Sequence, residues 1–308
     1  MKLSVVTPSF GQAQFLESAI NSVIKAERAP DEYFVIDGGS EDGSVDVIRR
    51  FAGQLSGWVS ESDHGQADAI NKGFARSTGD VLSWLNSDDQ IKPEAYRLVM
   101  NAFENDPDLV MVYGDVESID AQGAVFNRQT FRQYTLNDLA CFNIISQPAV
   151  FFRRSAWLQA GPLEVSYQFL LDHHLWLRLA PQGKILYLPR VLAQARYHAD
   201  AKNVARAAEF GEEAFKIVEW LRTQPSYREL IQQNENGILA GAQTINAFYL
   251  VEAGRFKPGL AAVMQAARYD VKSIQRNYKR ALLAVLGILG LDGLKTVYTR
   301  VRKNTFHG

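Results

Sequence analysis

The stretch Val81-Leu82-Ser83-Trp84-Leu85-Asn86-Ser87-Asp88-Asp89, VLSWLNSDD, decides how the chain is read. Its first five residues form an apolar run of strand length. Its last four are an amide, a hydroxyl and two carboxylates. A strand covered by helices on both faces reads as a nearly continuous apolar run. Hydrated groups belong only where such a strand leaves the sheet. In open sheets of alternating strands and helices, ligands sit beyond the carboxyl ends of the strands. The stretch therefore predicts a core strand whose tip faces a ligand site.

The flanking sequence supports that architecture. Upstream, Leu3 to Thr7 reads as a first strand, followed by the turn Pro8-Ser9-Phe10-Gly11-Gln12. Ala13 to Ala26 carries Phe15, Leu16, Ala19, Ile20, Val23 and Ile24 at helical spacing. Tyr33 to Ile36 is a second strand, broken by Asp37-Gly38-Gly39-Ser40, and Ser44 to Phe51 a second helix. Trp58 to Ser60 is a short strand and Gln66 to Arg76 a helix. Downstream, Pro93 to Asn105 reads as a helix and Leu109 to Gly114 as a strand. This alternation predicts an α/β fold, a mostly parallel, Rossmann-like sheet with helices on both faces. Pro8-Ser9, Asp37 to Ser40 and Asn86 to Asp89 all fall at carboxyl ends of its strands.

Beyond residue 115 the alternation loosens. Gln147 to Phe152 reads as a strand returning to the sheet, Phe169 to Leu179 as a helix, and Ile185 to Leu188 and Val191 to Tyr197 as late strands. After about Ala205 the pattern is helical. Ala240 to Ala253 and Pro258 to Arg268 suggest a helical hairpin of the tetratricopeptide kind, present once rather than as an array.

The chain has 308 residues, 47% hydrophobic and 22% charged, with a formal net charge of −1. That suits a globular protein with one large domain and an appendage. Near-neutral charge argues against a nucleic-acid partner held by bulk electrostatics. A single cysteine, Cys141, excludes an intrachain disulfide and a cysteine-rich zinc site, and fits a reducing cytosol. The N-terminus enters its first strand without an apolar leader, which predicts a cytoplasmic protein.

Four constellations carry candidate chemistry, each with a plainer reading beside it. Asp37 with Gly38 and Gly39 can bind a ring N–H or ribose hydroxyl with close backbone approach, or form an ordinary turn. Asp63 to Gly73 places Gln66, Asp68 and Asn71 in the first turns of a helix, as pocket lining or as a solvated helix start. Asn86-Ser87-Asp88-Asp89 puts two carboxylates side by side, which repel unless a cation or donors intervene. A hard divalent ion suits one or two carboxylates plus phosphate oxygens and water; a capped turn is the alternative. Leu171-Asp172-His173-His174 offers Asp172 as a general base, or an Asp-His-His metal site for which other clustered ligands are missing nearby.

Taken together, VVTPSF, VIDGGSEDGS, SESDHGQADAINKGF, GDVLSWLNSDD, ISQPAVFFRR and LLDHHLWLRLA, in this order, resemble family 2 glycosyltransferases. The likeness covers roughly residues 1–200 and is strongest to bacterial enzymes of surface-polysaccharide synthesis. It implies an inverting enzyme with a GT-A-type nucleotide-diphospho-sugar transferase fold and a C-terminal helical extension. A catalytic domain of residues 1–204 would comprise a nucleotide part, 1–114, and an acceptor part, 115–204, with a helical region at 205–308. By this resemblance Thr7, Pro8 and Ser9 border the nucleotide. Asp37, with Gly38 beside it, binds the base, usually uracil. Asp68 and Lys72 line the nucleotide pocket. Asn86-Ser87-Asp88 stands in place of the Asp-x-Asp metal motif. Asp88 then carries Mg²⁺ or Mn²⁺, with Asp89 as neighbour or second ligand and His198 as a late residue on the metal or diphosphate. Asp172 is the catalytic base. Asn86 replaces the usual first carboxylate and Leu171 replaces an acid before the base. The implied partners are a nucleotide-diphosphate sugar, UDP-linked by resemblance, and a saccharide or lipid-linked saccharide acceptor.

The two departures motivate a rival from another class: a sugar-nucleotide-binding protein without catalysis. A nucleotidyltransferase on a similar sheet is a second rival. In the C-terminal third, Arg276-Asn277-Tyr278-Lys279-Arg280 precedes the apolar run Ala281 to Leu291, with Lys295, Arg300, Arg302 and Lys303 after it. Such a segment can lie in a membrane interface, or pack as a buried helix on the catalytic domain or on a second copy in a homo-oligomer.

Overall fold

A computed structural model of the chain describes residues 1–198 and 209–291. The chain forms two compact units. The first comprises Met1–Gln133 and Ile145–Arg196, and the second takes 134–144 and the chain from Tyr197 onward. Lys295, Arg300, Arg302 and Lys303 of the basic C-terminus lie outside the described residues.

Among the described residues the first unit holds one nine-stranded sheet. Its strands are β1 (Leu3–Ser9), β2 (Glu32–Asp37), β3 (Gly57–Ser60), β4 (Val81–Trp84), β5 (Gln90–Ile91), β6 (Leu109–Ile119), β7 (Val125–Gln129), β8 (Val150–Arg153) and β9 (Lys184–Arg196). The helices in chain order are α1 (Ala13–Ile24), α2 (Ser44–Phe51), α3 (Gln66–Arg76), α4 (Ala95–Asn105), α5 (Leu136–Ala140), α6 (Arg154–Ala160), α7 (Leu171–Leu179), α8 (Phe210–Thr223), α9 (Arg228–Glu252), α10 (Phe256–Tyr269) and α11 (Ser273–Ile288). Helix α5 and those from α8 on belong to the second unit.

The sheet order is β3-β2-β1-β4-β8-β6-β9-β5, with β7 paired to β6. Strands β3, β2, β1 and β4 run parallel, as their helical crossovers require. Strand β8 is antiparallel to both β4 and β6, β7 is antiparallel to β6, and β5 to β9, while β6 and β9 are parallel. The sheet is therefore mixed, parallel only in its first half and in the β6–β9 pair. Strand β7 returns through a tight turn at Asp120–Gly123, with Gly123 at φ +88, a geometry that permits only an antiparallel partner.

The two expected late strands are one. Strand β9 runs unbroken from Lys184 to Arg196, and its register against β6 jumps between Gly114/Leu188 and Asp115/Val191. The excess residues are Pro189 and Arg190. Proline cannot donate to the ladder, so the strand bulges there. Gly114 makes room: a Cβ at that position would sit 2.5 Å from Leu192 Cγ and 2.8 Å from the Arg190 carbonyl.

Side-chain alternation divides the core into two layers. On one face Leu3, Val5, Val35, Val81 and Val112 pack against Leu16, Ile20, Val99 and Phe103. On the other, Trp84 meets Phe74 of α3, Phe152 of β8 and Trp176 of α7 at centroid distances of 6.2, 6.2 and 5.4 Å. Strand β1 is buried along its whole length because both neighbours and both faces are covered. Helix α3 approaches it closely at Gly73, where a Cβ would lie 2.6 Å from Val6 Cγ2.

In the second unit, α9 and α10 form the expected hairpin, turning at Gly254 with φ +73. Ala247, Leu250, Ala262 and Val263 make its apolar seam. Phe210 of α8 stacks on Tyr249 of α9 at 3.8 Å.

The α3–β1 contact gives a direct test. Gly73→Ala forces a methyl into Val6 and should destabilise the protein by about 1–3 kcal/mol, despite the better helix propensity of alanine. A melting temperature unchanged from wild type would contradict this packing.

Candidate active site

Three strand ends meet in register: Ser9 of β1 pairs with Asp37 of β2, and Asp37 with Ser60 of β3. Asp37 is fully buried. Its carboxylate accepts hydrogen bonds from Gly39 N (3.1 Å), Ser40 N (2.9 Å), Ser40 Oγ (2.6 Å) and Ser60 Oγ (2.8 Å). Three of these donors fall on Oδ2 and one on Oδ1. The carboxylate thereby shapes the loop from Gly38 to Ser40. Gly38 is the close-approach point. A Cβ there would meet Asp63 Oδ2 at 2.9 Å and the Phe10 ring at 3.2 Å. Phe10 itself is 71% exposed at the tip of β1. Thr7 is fully buried and shares a 2.9 Å hydrogen bond with Tyr33. Pro8 is buried, and the hydroxyl of Ser9, 3% exposed, has no hydrogen-bond partner.

The start of α3 lies beside this loop. Asp63 Oδ1 accepts from Gly65 N (2.8 Å), and Asp68 Oδ2 accepts from His64 N (3.1 Å). Lys72 bridges Glu61 (3.1 Å) and Asp68 (3.3 Å). The His64 amide, then Lys72, hold the Asp68 carboxyl below its ordinary pKa. Burial opposes the charge on Lys72, but Glu61 and Asp68 raise its pKa. Asp68 and Lys72 thus form one charged pair on the first turns of α3.

The tip of β4 joins this helix through Gln66, whose Nε2 donates to Asn86 Oδ1 at 2.7 Å. Asn86 Nδ2 donates to Asp89 Oδ2 (3.2 Å), and Arg196 N donates to Asp89 Oδ1 (2.9 Å). Asp89 is 5% exposed. Burial, and then the charge of Asp88, push its carboxyl well above the usual range. Asp89 thereby braces the turn from inside. Ser87 is buried and Asp88 half-buried on the turn. The Arg196 guanidinium closes the structure. Its Nε donates to the Asp88 carbonyl (2.9 Å), its NH1 to the carbonyls of Asp120 (2.9 Å) and Ala121 (3.2 Å), and it lies 4.9 Å over the Phe15 ring. The sequence expectations omitted Arg196. Its partners stand 75 or more residues away, so no local signal marks it.

Helix α7 supplies Asp172 in its first turn. From Leu171 to Leu177 every residue is buried except Asp172, which is half-buried and accepts from His173 N at 2.7 Å. Trp176, one turn further on the same face, stacks on Trp84 at 5.4 Å and 26°. The segment before α7 is pinned to α3 as well. Asn71 exchanges two hydrogen bonds with the Leu163 backbone (2.8 and 2.9 Å), and a Cβ at Gly65 would lie 3.4 Å from Gln168 Oε1. Gln66 bonded to Asn86, Asn71 bonded to the Leu163 backbone and Trp84 stacked on Trp176 together bring the β4 turn, the α3 start and α7 into one neighbourhood. Gln147, 8% exposed, donates to the Trp84 carbonyl (2.8 Å) just before the turn.

His198 falls in the second unit. Among the described residues, no three His, Cys, Asp or Glu side chains are gathered to hold a metal by themselves. The set Asp88, Asp89 and His198 is thus not a preformed cage.

Comparison with known proteins places this architecture. The pattern described as "Glycosyl transferase family 2" matches residues 4–158. An uncharacterized glycosyltransferase of Nostoc sp. is 29% identical over 231 residues, 70% of this chain and 71% of that protein. A PGL/p-HBAD biosynthesis glycosyltransferase of Mycobacterium bovis is 28% identical over 177 residues, 55% of this chain and 66% of its own length. Among solved structures, S. aureus TarS 1-349 has a TM-score of 0.63 at 15% identity, covering 100% of this chain and 91% of that one. The mannosyltransferase PcManGT of Pyrobaculum calidifontis, in complex with GDP-Man and Mn²⁺, has a TM-score of 0.62 at 15% identity, covering 94% and 86%. The chain belongs to glycosyl transferase family 2 and is a glycosyltransferase with a GT-A-type fold.

Proposed function

We propose that the protein transfers a sugar, with inversion, from a nucleoside-diphosphate sugar to a hydroxyl of a saccharide or lipid-linked saccharide acceptor in surface-polysaccharide synthesis. The observation that carries the reading is the tethering of the Asn86–Asp88 turn to α3 by Gln66 and to α7 by the Trp84–Trp176 stack. The turn that carries Asp88 and the helix that carries Asp172 are thereby packed against the same strand, β4. The donor is taken to be UDP-linked: TarS 1-349 has been solved with UDP-GlcNAc, at a TM-score of 0.58 and 14% identity, whereas PcManGT holds GDP-Man.

The residues divide the work. The loop built by Asp37, with Gly38 and the orphan hydroxyl of Ser9, receives the nucleoside. The Asp68–Lys72 pair flanks it. The donor set at the β4 turn fits a hard cation, because Mg²⁺ or Mn²⁺ takes one or two carboxylates and fills its shell with phosphate oxygens and water. Asp88 would hold such an ion together with the diphosphate, offsetting charge that gathers on the leaving group. Asp172 accepts the proton of the acceptor hydroxyl. The hydroxyl oxygen forms the new bond to the anomeric carbon from the opposite face. The bond from that carbon to the diphosphate oxygen breaks, and the nucleoside diphosphate departs with the electron pair.

Asp172→Asn should lower turnover on the order of 10²–10⁴-fold while nucleotide binding by calorimetry is retained. Nucleotide binding without transfer over a broad donor and acceptor panel would favour the non-catalytic binder. Release of pyrophosphate instead of nucleoside diphosphate would favour a nucleotidyltransferase. Asp88→Asn should abolish stimulation by Mn²⁺, measured as rate against metal concentration. Arg196→Gln, which loosens the same turn, should raise the Mn²⁺ concentration for half-maximal rate by about 10–100-fold. An unchanged metal titration in either variant would remove the cation from this turn.

A further inference from the structure

Helix α11 of the second unit leaves an apolar stripe uncovered. Ile274, Tyr278, Leu282, Val285 and the C-cap residue Leu289 are 50%, 57%, 58%, 40% and 66% exposed. Their spacing of four, four, three and four residues lines them along one side of the helix. A different side anchors α11. Ser273, Asn277 and Ala284 are buried, Asn277 Nδ2 donates to Thr244 Oγ1 at 2.9 Å, and Arg280 lies 4.8 Å over the Phe248 ring. The stripe therefore plays no part in holding the helix to its own unit.

Roughly a third of a turn further round the helix runs a row of cations. Lys272, Arg276 and Lys279 are all exposed and three or four residues apart. From Val271 to Leu291 there is no acidic residue. The asymmetry extends to the chain's end. Residues 271–308 hold eight of the 33 Lys and Arg but one, Asp292, of the 34 Asp and Glu. The residues before them hold 25 basic and 33 acidic side chains, so a net-acidic body carries a strongly basic end.

We propose that α11 lies in the surface of an anionic lipid bilayer, its apolar stripe in the headgroup–acyl boundary and its cation row against the phosphates. A helix with an exposed apolar face and cations on its exposed polar face is what such an interface selects. No helix among the described residues is long and apolar enough to cross a membrane, so the contact is superficial. A second copy fits less well. Self-association through the stripe would bring two basic segments together with no acid on either helix to offset them. The proposal is independent of the enzymatic reading, and its test needs no turnover.

The test is co-sedimentation of the full chain with phosphatidylcholine vesicles and with vesicles in which one third of the lipid is phosphatidylglycerol. Binding should be confined to the anionic vesicles and weaken with added salt. The double variant Leu282→Glu, Leu289→Glu should weaken it at least about tenfold. The triple variant Lys272→Gln, Arg276→Gln, Lys279→Gln should weaken it on the order of a hundredfold, since each cation near an anionic surface contributes roughly fivefold. Circular dichroism and light scattering accompany each variant; the triple variant, changing exposed positions only, serves if the double variant misfolds. Equal pelleting of wild type and triple variant, or no preference for anionic vesicles, overturns the proposal. A concentration-dependent dimer that the double variant dissociates, with no vesicle binding, overturns it in favour of a second copy.

Discussion

Two adjacent carboxylates on one turn repel each other, and the site rests on how Asp88 and Asp89 are kept apart in chemistry. Asp89 goes inward, where the Arg196 amide and the Asn86 side chain take its oxygens. Asp88 stays half-buried on the turn while its carbonyl is clasped by the Arg196 guanidinium. The same guanidinium reaches the turn between β6 and β7 at Asp120 and Ala121. One buried arginine thus ties the end of β9, the tip of β4 and a distant hairpin turn together. A buried cation with carbonyl partners is costly to disturb, because removing it leaves those carbonyls desolvated and unpaired.

Behind the turn is a buried aromatic layer. Trp84, Phe74, Phe152, Trp157 and Trp176 meet edge-to-face or stacked at 5.4 to 6.2 Å. Such pairs contribute about 0.5–1.5 kcal/mol each beyond the area they bury. Their larger consequence is positional. They lock α3 and α7 against β4, and the polar groups at the rim of the layer, Gln66, Asn86 and Asp172, take their places from it. Side chains whose supports are rigid lose little freedom when a ligand arrives.

The reading of the sequence followed the fold wherever local pattern decides local structure. Helices α2 and α3 begin and end where the spacing of apolar residues predicts, because each buries one stripe on a sheet formed nearby in sequence. It diverged where partners are remote. The antiparallel insertion of β8 between β4 and β6, the length of β6, and the bulge that makes β9 a single strand depend on pairings across dozens of residues. Residues 134–144 read as part of the catalytic domain, yet they group with the C-terminal helices. There a Cβ at Gly241 of α9 would lie 2.6 Å from the Cys141 carbonyl carbon, so α5 packs on α9.

The sequence by itself determined the alternating sheet, the placement of polar segments at its carboxyl edge, and the family. Apolar periodicity and strand-end residue types are local properties, and a match over half the chain needs no coordinates. Only the tertiary structure decided what each acid does. Asp37 and Asp89 are strand-end carboxylates in the sequence; folding adds the donors from Ser40, Ser60 and Arg196 that brace them. Arg196 looks like one strand residue among many and proves to be the clamp. The physical reason is that a carboxylate's role is set by what fills its lone pairs, and those donors arrive from parts of the chain that only folding brings within 3 Å.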